Sequence, residues 1–259
     1  MHRSDDRTPM PPKVRTFMLR VDLLLPFWPS WTSAAIGAAW ALLLLLGIGT
    51  LVSRLARQGW RVGDTRKVFH FSVFTGVSLL RWQVDTGAVV VFGCCVFAWV
   101  VWATLRGPKS GLYLAMARPS DAPQEKLHIL APLVGTAAGG VIGQLIAGNL
   151  AVVGYLVAGW GDAVGEPVGI RWGRHRYRVP AFGIPMAERS LEGSLAVFVA
   201  SGLAAATALT FLGQETSAVI SSSLLIAAAA TLIEAASPHG WDNFTLLVGI
   251  AWLARVCSG

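Results

Sequence analysis

The stretch Leu127–Gly161, LHILAPLVGTAAGGVIGQLIAGNLAVVGYLVAGWG, contains no Asp, Glu, Lys or Arg. A helix needs roughly 20 apolar residues to cross a hydrocarbon core about 30 Å thick, so this run is too long for one crossing. Gly148-Asn149 supplies a turn pair within it, and breaking the run there gives two consecutive spans. Working outward, Trp31–Val52, Thr86–Leu105 and Gly193–Gln214 are also free of charge. The chain of 259 residues is 54% hydrophobic and only 14% charged, whereas a soluble domain carries about 25% charge. The sequence predicts an all-α, polytopic transmembrane helical bundle of about seven or eight membrane segments, at 31–53, 68–80, 86–105, 127–147, 150–172, 191–212, 216–236 and 241–256.

Residues 1–30 read as a polar, Pro-rich tail leading into an interfacial segment, Leu23–Trp31, and residues 31–256 as a single transmembrane catalytic domain. The tail has arginines but no apolar run followed by a small-residue cleavage site. Laying the loops on alternate sides places Arg54, Arg57, Arg61, Arg66, Lys67, Arg106, Lys109, Arg118, Lys126, Arg171, Arg174, Arg176, Arg178 and Arg189 on one side. The inter-helix loops of the other side receive only Arg81. An excess of Lys and Arg marks the cytoplasmic side. The tail, with five basic residues, falls on the opposite side by the same alternation.

A net charge of +7 is spread over these short loops, where it serves topology, headgroups and phosphates; no nucleic-acid partner is expected. Cys94 and Cys95 are adjacent within a span and are read as small packing residues, since neither a mutual disulfide nor a zinc site suits that spacing.

The strongest local signal is Gly161-Asp162-Ala163-Val164-Gly165-Glu166-Pro167-Val168-Gly169. Asp162 and Glu166 are four apart and share a helical face. In a span beginning near residue 150, Asp162 lies about 18 Å along the axis, within hydrocarbon, where an ionisable residue marks function by default. Two carboxylates beside an open glycine surface suit Mg²⁺, which is held by one or two carboxylates plus substrate phosphates. Asp242-Asn243 opens the last span as an ordinary helix-cap pair and falls on the same side as the other polar groups.

Candidate phosphate-binding groups are Arg66 and Lys67, which share a face with His70; Arg174 in the loop after the fifth span; and Arg189-Ser190-Leu191-Glu192-Gly193 with Asn243. Ser190, Glu192 and Gly193 open a helix whose free N–H groups favour an anion, and Arg189 can clamp phosphate with two donors. His70 and Asp162 are the candidate catalytic residues, either able to accept a proton. Gly135, Gly139 and Gly143, and Gly161, Gly165, Gly169 and Gly173, recur every four residues. Such stripes let helices approach closely. No P-loop, protein-kinase loop or G-x-S-x-G elbow is present.

Taken in order, Arg66-Lys67…His70, Gly161-Asp162…Gly169…Gly173, Arg189-Ser190-Leu191-Glu192-Gly193-Ser194 and Asp242-Asn243 resemble the polyprenol, dolichol and phytol kinase family of CTP-dependent membrane kinases. The resemblance covers roughly residues 66–250. It departs from the family pattern at Arg189, where Lys is usual, and at Ala163-Val164-Gly165-Glu166, where phytol-kinase members have Gly-Phe-Ala-Asp. It implies a lipid-alcohol substrate whose tail enters sideways between helices along the glycine stripes, CTP or another nucleoside triphosphate as donor, Mg²⁺ as cofactor held by Asp162 with Glu166 or Asp242, and a site at the cytoplasmic face. The Ala-, Gly-, Arg- and Val-rich composition points to a bacterial cytoplasmic membrane; a eukaryotic source would imply the endoplasmic reticulum. Homo-oligomerisation is left open. Two other readings stand beside this one: cytidylyl transfer of the phosphatidate type, and an ion-coupled transporter using Asp162 and Glu166.

Overall fold

The computed structural model describes residues 27–179, 187–237 and 241–258. The tail through residue 26, most of the expected interfacial segment and Pro238-His239-Gly240 lie outside them. Among the described residues eight long helices lie at the positions of the eight expected segments. They are α1 (Trp31–Arg57), α2 (Val62–Gln83), α3 (Thr86–Arg106), α5 (Glu125–Ala147), α6 (Ala151–Trp172), α7 (Leu191–Phe211), α8 (Thr216–Ala236) and α9 (Asp242–Cys257). A short α4 (Gly111–Met116) sits between α3 and α5. Five stretches are long and apolar enough to cross a membrane, one of them, Glu125–Trp172, holding both α5 and α6. The remaining long helices, α2 and α9, carry charged residues in their first turns. A two-stranded antiparallel hairpin, β1 (Arg176–Val179) and β2 (Ala187–Ser190), joins α6 to α7.

Local chemistry explains where these helices start and turn. Ser30 caps α1, its hydroxyl accepting from Ser33 N at 3.0 Å. Asp85 caps α3, accepting from Ala88 N at 2.8 Å, and Ser190 caps α7, accepting from Gly193 N at 3.1 Å. Each cap satisfies an N–H that the helix itself leaves unpaired. The turn expected at Gly148-Asn149 is a single 3₁₀ turn with Gly148 at φ 56°, a left-handed angle that glycine adopts without steric cost. Arg81 donates to Asn149, so the basic residue expected in the inter-helix loops of that side ties α2 to the α5–α6 turn. The segment expected at 68–80 is longer than its apolar run: α2 starts at Val62, and its first two turns hold Asp64, which pairs with Arg171 of α6, and Lys67, which pairs with Asp162.

The fold is built around α6. Residues Ala151–Gly159 of this helix are all buried, as expected for a helix apolar on every side. It packs against α2, α7 and α9, while α8 backs α7 and α9 backs α5. A second apolar cluster joins α1, α2, α3 and α4 through Val52, Phe69, Phe92, Val96 and Leu112. Outward faces carry Leu43, Leu105, Leu195, Leu203, Ile220 and Leu232, each more than half exposed, a surface suited to lipid rather than water.

The glycine stripes have a different use from the one expected. A Cβ added at Gly161 would lie 2.3 Å from Ser201 Oγ, and one at Gly165 would lie 2.6 Å from Val197 Cγ2. One at Gly169 would lie 2.9 Å from Ser190 Oγ. Helix α7 therefore fills the α6 stripe, leaving no sideways path for a lipid tail there. Gly139 and Gly143 likewise seat Leu247 of α9. Close van der Waals packing is what such stripes provide in lipid, where no hydrophobic force drives helices together.

Candidate functional site

The N-terminal ends of α2, α7 and α9 meet the C-terminal parts of α6 and α8 at one end of the bundle. They enclose a polar pocket of about 420 Å³. The wall from α6 carries Asp162 and Glu166, one turn apart, so both carboxylates point the same way. Opposite them α2 carries Arg66, Lys67 and His70. Lys67 Nζ donates to Asp162 Oδ1 at 2.7 Å and to Oδ2 at 2.8 Å, and lies 3.6 Å from Glu166 Oε2. Arg118, just ahead of α5, donates to Glu166 Oε2 at 2.7 Å. These acids are affordable at this depth because each is paired with a cation.

His70 Nε2 lies 3.1 Å from Ala158 O and 3.4 Å from Asp162 Oδ2. A carbonyl oxygen only accepts, so Nε2 carries the hydrogen and, in the neutral ring, Nδ1 holds the free lone pair. Asn243 donates through Nδ2 to Thr136 Oγ1 at 3.1 Å, while its Oδ1 is buried and has no hydrogen-bond partner among the described residues. A buried unpaired acceptor is costly, so Asn243 Oδ1 offers a ready place for a ligand donor.

Most of the expected residues come together here. Arg66, Lys67, His70, Asp162, Glu166, Arg189, Ser190, Gly193, Asp242 and Asn243 all line the pocket. Arg189 is held by an ion pair with Glu234 of α8. Ser190 Oγ is engaged as the α7 cap. Two expected residues are not among the lining. Arg174 is exposed ahead of β1, and Glu192 turns to His175, its Oε1 2.8 Å from Nδ1. This pair ties the base of the hairpin to the first turn of α7. Residues not anticipated as part of the site are Arg118, Arg176, Glu188, Ser194 and Glu234. Glu234 could have been found, because it is an acid within an otherwise uncharged span.

Among the described residues no three His, Cys, Asp or Glu side chains converge as an all-protein metal site. Mg²⁺ does not require one, since it keeps waters and is bound by one or two carboxylates together with phosphates. Asp162 and Glu166 already share one positive charge, the Lys67 ammonium, and so fit that demand.

Below the polar pocket lies a second cavity, also about 420 Å³, between α2, α3, α5 and α9. Its walls are apolar: Phe69, Val73, Val77, Phe92, Val96 and Leu133 are among them. Arg66, His70 and Asn243 line both cavities. On its outer side Gly93 and Cys94 of α3 and Ala137 and Val141 of α5 are exposed, so this chamber faces the surroundings between those helices.

Fold and site together define a polytopic membrane protein in which a charged pocket abuts an apolar chamber. The chain is 29% identical over 226 residues, 87% of its length, to the phytol kinase of Synechocystis sp. (strain ATCC 27184 / PCC 6803 / Kazusa), covering 91% of that protein. This similarity supports membership of the polyprenol, dolichol and phytol kinase family. No protein-family model matches the chain, and no solved structure does.

Proposed function

We propose that this protein is a membrane lipid-alcohol kinase that transfers the γ-phosphoryl group of CTP, or another nucleoside triphosphate, to the hydroxyl of an isoprenoid or similar lipid. One observation carries the reading: a cation-rich pocket and an apolar chamber share Arg66, His70 and Asn243 as a common wall. A water-soluble triphosphate and a hydrocarbon chain would each find a fitting half, with the reacting oxygen between them. The similarity to a phytol kinase supports the same chemistry. The excess of basic residues at the site's end of the bundle favours the cytoplasmic face, in a bacterial cytoplasmic membrane.

In this mechanism Arg66, Lys67, Arg118 and Arg176 gather and neutralise the triphosphate, with Lys67 exchanging part of its Asp162 contact for phosphate oxygens. Asp162 and Glu166 would hold Mg²⁺, with Asp242 lining the same pocket; the bound ion supplies charge neutralisation across the phosphates. Asn243 Oδ1 orients the alcohol and His70 Nδ1 accepts its proton. The alcohol oxygen forms a bond to the γ phosphorus as the bond to the β–γ bridging oxygen breaks, releasing the nucleoside diphosphate. Phosphoryl transfer depends mainly on such positioning and charge stabilisation.

The deciding assay incubates the protein in nanodiscs with Mg²⁺ and CTP labelled at either the α or the γ phosphate, offering prenols and phosphatidic acid. Label from the γ position in a prenyl phosphate supports the kinase. Label from the α position in lipid would establish cytidylyl transfer instead, and transfer of neither would remove the enzymatic reading.

A further inference from the structure

Among the described residues that line the apolar chamber, the exposed ones are Gly93 and Cys94 of α3 and Ala137 and Val141 of α5. The lining residues of α2, α6 and α9 are buried or half-buried. A residue that lines a cavity and is also exposed stands at its mouth, so the chamber opens between α3 and α5. The two helices present this mouth at one level. The start of α3 and the end of α5 share one end of the bundle, where Arg81 of α2 reaches Asn149. At the helical rise Gly93 and Cys94 lie roughly 10–12 Å from Thr86, and Ala137 and Val141 roughly 9–15 Å from Ala147. Such a depth is inside a hydrocarbon core about 30 Å thick. The mouth is bordered by small side chains, and a Cβ added at Gly93 meets nothing within 4 Å. The α6 glycine stripe offers no rival route, because Ser201, Val197 and Ser190 of α7 fill it.

We propose that the seam between α3 and α5 is the side door through which the lipid chain enters the chamber from the bilayer and out of which its far end trails, with Gly93 and Ala137 holding it open. The proposal rests on the reading of the chamber as the place of the lipid chain. His70 stands roughly 20 Å from the far end of α2 at Gln83, so the door lies roughly 8 Å beyond it toward that end. A chain with its hydroxyl at His70 therefore crosses a short stretch of chamber and then leaves between the helices. Entry by this path never takes the chain through water, and so avoids the cost of hydrating apolar surface. Beyond the door the chain lies in lipid, which is as apolar as the chamber wall. Added isoprene units there neither gain nor lose contacts with the protein, and the enzyme does not read them. A large side chain at position 93 or 137 would instead fill the space that the chain needs.

The test has two arms, both on the full chain in nanodiscs. In the first, a prenol of eight isoprene units carrying a diazirine on its fifth unit is photolysed with the protein, and the labelled peptides are mapped by mass spectrometry. Labelling of α3 and α5 around Cys94 and Val141 that an excess of unmodified prenol suppresses is the expected result, and Gly93→Phe abolishes it. Suppressible labelling along another pair of helices overturns the proposal. In the second arm, kcat/KM is measured for prenols of four and eight units. Wild type is expected to treat the two alike, and Gly93→Phe to lower both roughly tenfold or more, the usual penalty of overfilling a packed space. Ala137→Phe, on the facing helix, gives the same loss if the first variant folds poorly. Leu203→Phe, on the outward face of α7, keeps wild-type turnover. Full turnover of the long prenols in both door variants overturns the door while leaving the kinase intact. If no prenol is phosphorylated the kinase reading fails, and the photolabelling map alone then decides where the chain enters.

Discussion

Lys67 Nζ spans both carboxylate oxygens of Asp162, at 2.7 and 2.8 Å, joining α2 to α6 across the floor of the polar pocket. The two residues are 95 positions apart in sequence. Helix α6 is clad on every side, so the carboxylate is fixed and the lysine, on four rotatable bonds, is the partner able to move toward an arriving phosphate. This asymmetry separates the roles of the two residues in mutants.

Asp162→Asn removes the charge and leaves Lys67 with Glu166 at 3.6 Å. Phosphoryl transfer is expected to fall by a factor of roughly a thousand or more, as for loss of a principal electrostatic group, in a protein that still folds but with a lowered unfolding midpoint. Turnover within tenfold of wild type would dismiss Asp162 as a metal ligand.

Arg189 and Glu234 form a buried ion pair, each side chain 13% exposed. Removing one partner strands the other, at a cost of about 3–5 kcal/mol. Glu234→Ala is therefore expected to lower the midpoint of unfolding in detergent more than the double change Arg189→Met with Glu234→Leu. Equal loss in both would mean that the pair contributes little to the α7–α8 contact.

Gly193 lies where α7 crosses α6: an added Cβ would meet Gly165 O at 2.9 Å, a backbone atom that cannot swing aside. Gly193→Ala should force the helices apart, costing about 1–3 kcal/mol and most of the activity. At Gly93 an added Cβ meets nothing within 4 Å, so Gly93→Ala is expected to leave unfolding unchanged. The two midpoints, measured side by side, check the packing directly.

At the opposite end, burial raises the Asp85 carboxyl, but hydrogen bonds from the Ser33 hydroxyl at 2.6 Å and the Ala88 amide outweigh it and hold the group below the usual carboxylate range. A depressed folded-state value stabilises the protein above the unfolded value near 3.9, and that contribution fades as pH falls through the folded value. Wild type should thus lose stability below about pH 4 more steeply than Asp85→Asn. Parallel acid limbs in the two proteins would refute the coupling.

The helices were legible because lipid demands long uncharged runs, and the α6 acids because charge is expensive there. Other pieces of the site were not. Arg176, not Arg174, reaches the pocket because the α6–α7 loop is a hairpin; pairing Arg176 with Ser190 fixes which side chain faces inward, and a loop read as irregular has no faces. Glu192 follows Ser190 by two, which on a helix turns it away toward His175. The α6 glycines gave a true signal of close approach, yet spacing alone does not tell whether a neighbouring helix or a ligand fills the groove. Arg118 lies in a short connection with no periodicity, and only the tertiary fold brings it to Glu166.

The acids stand on a helix enclosed by α2, α7 and α9, whereas the chamber's outer wall is made by α3 and α5, at the bundle's edge. Substitutions along that edge can therefore accumulate without disturbing the polar pocket. Descendants of one ancestral scaffold could be retargeted to new hydrophobic acceptors by remodelling two peripheral helices alone.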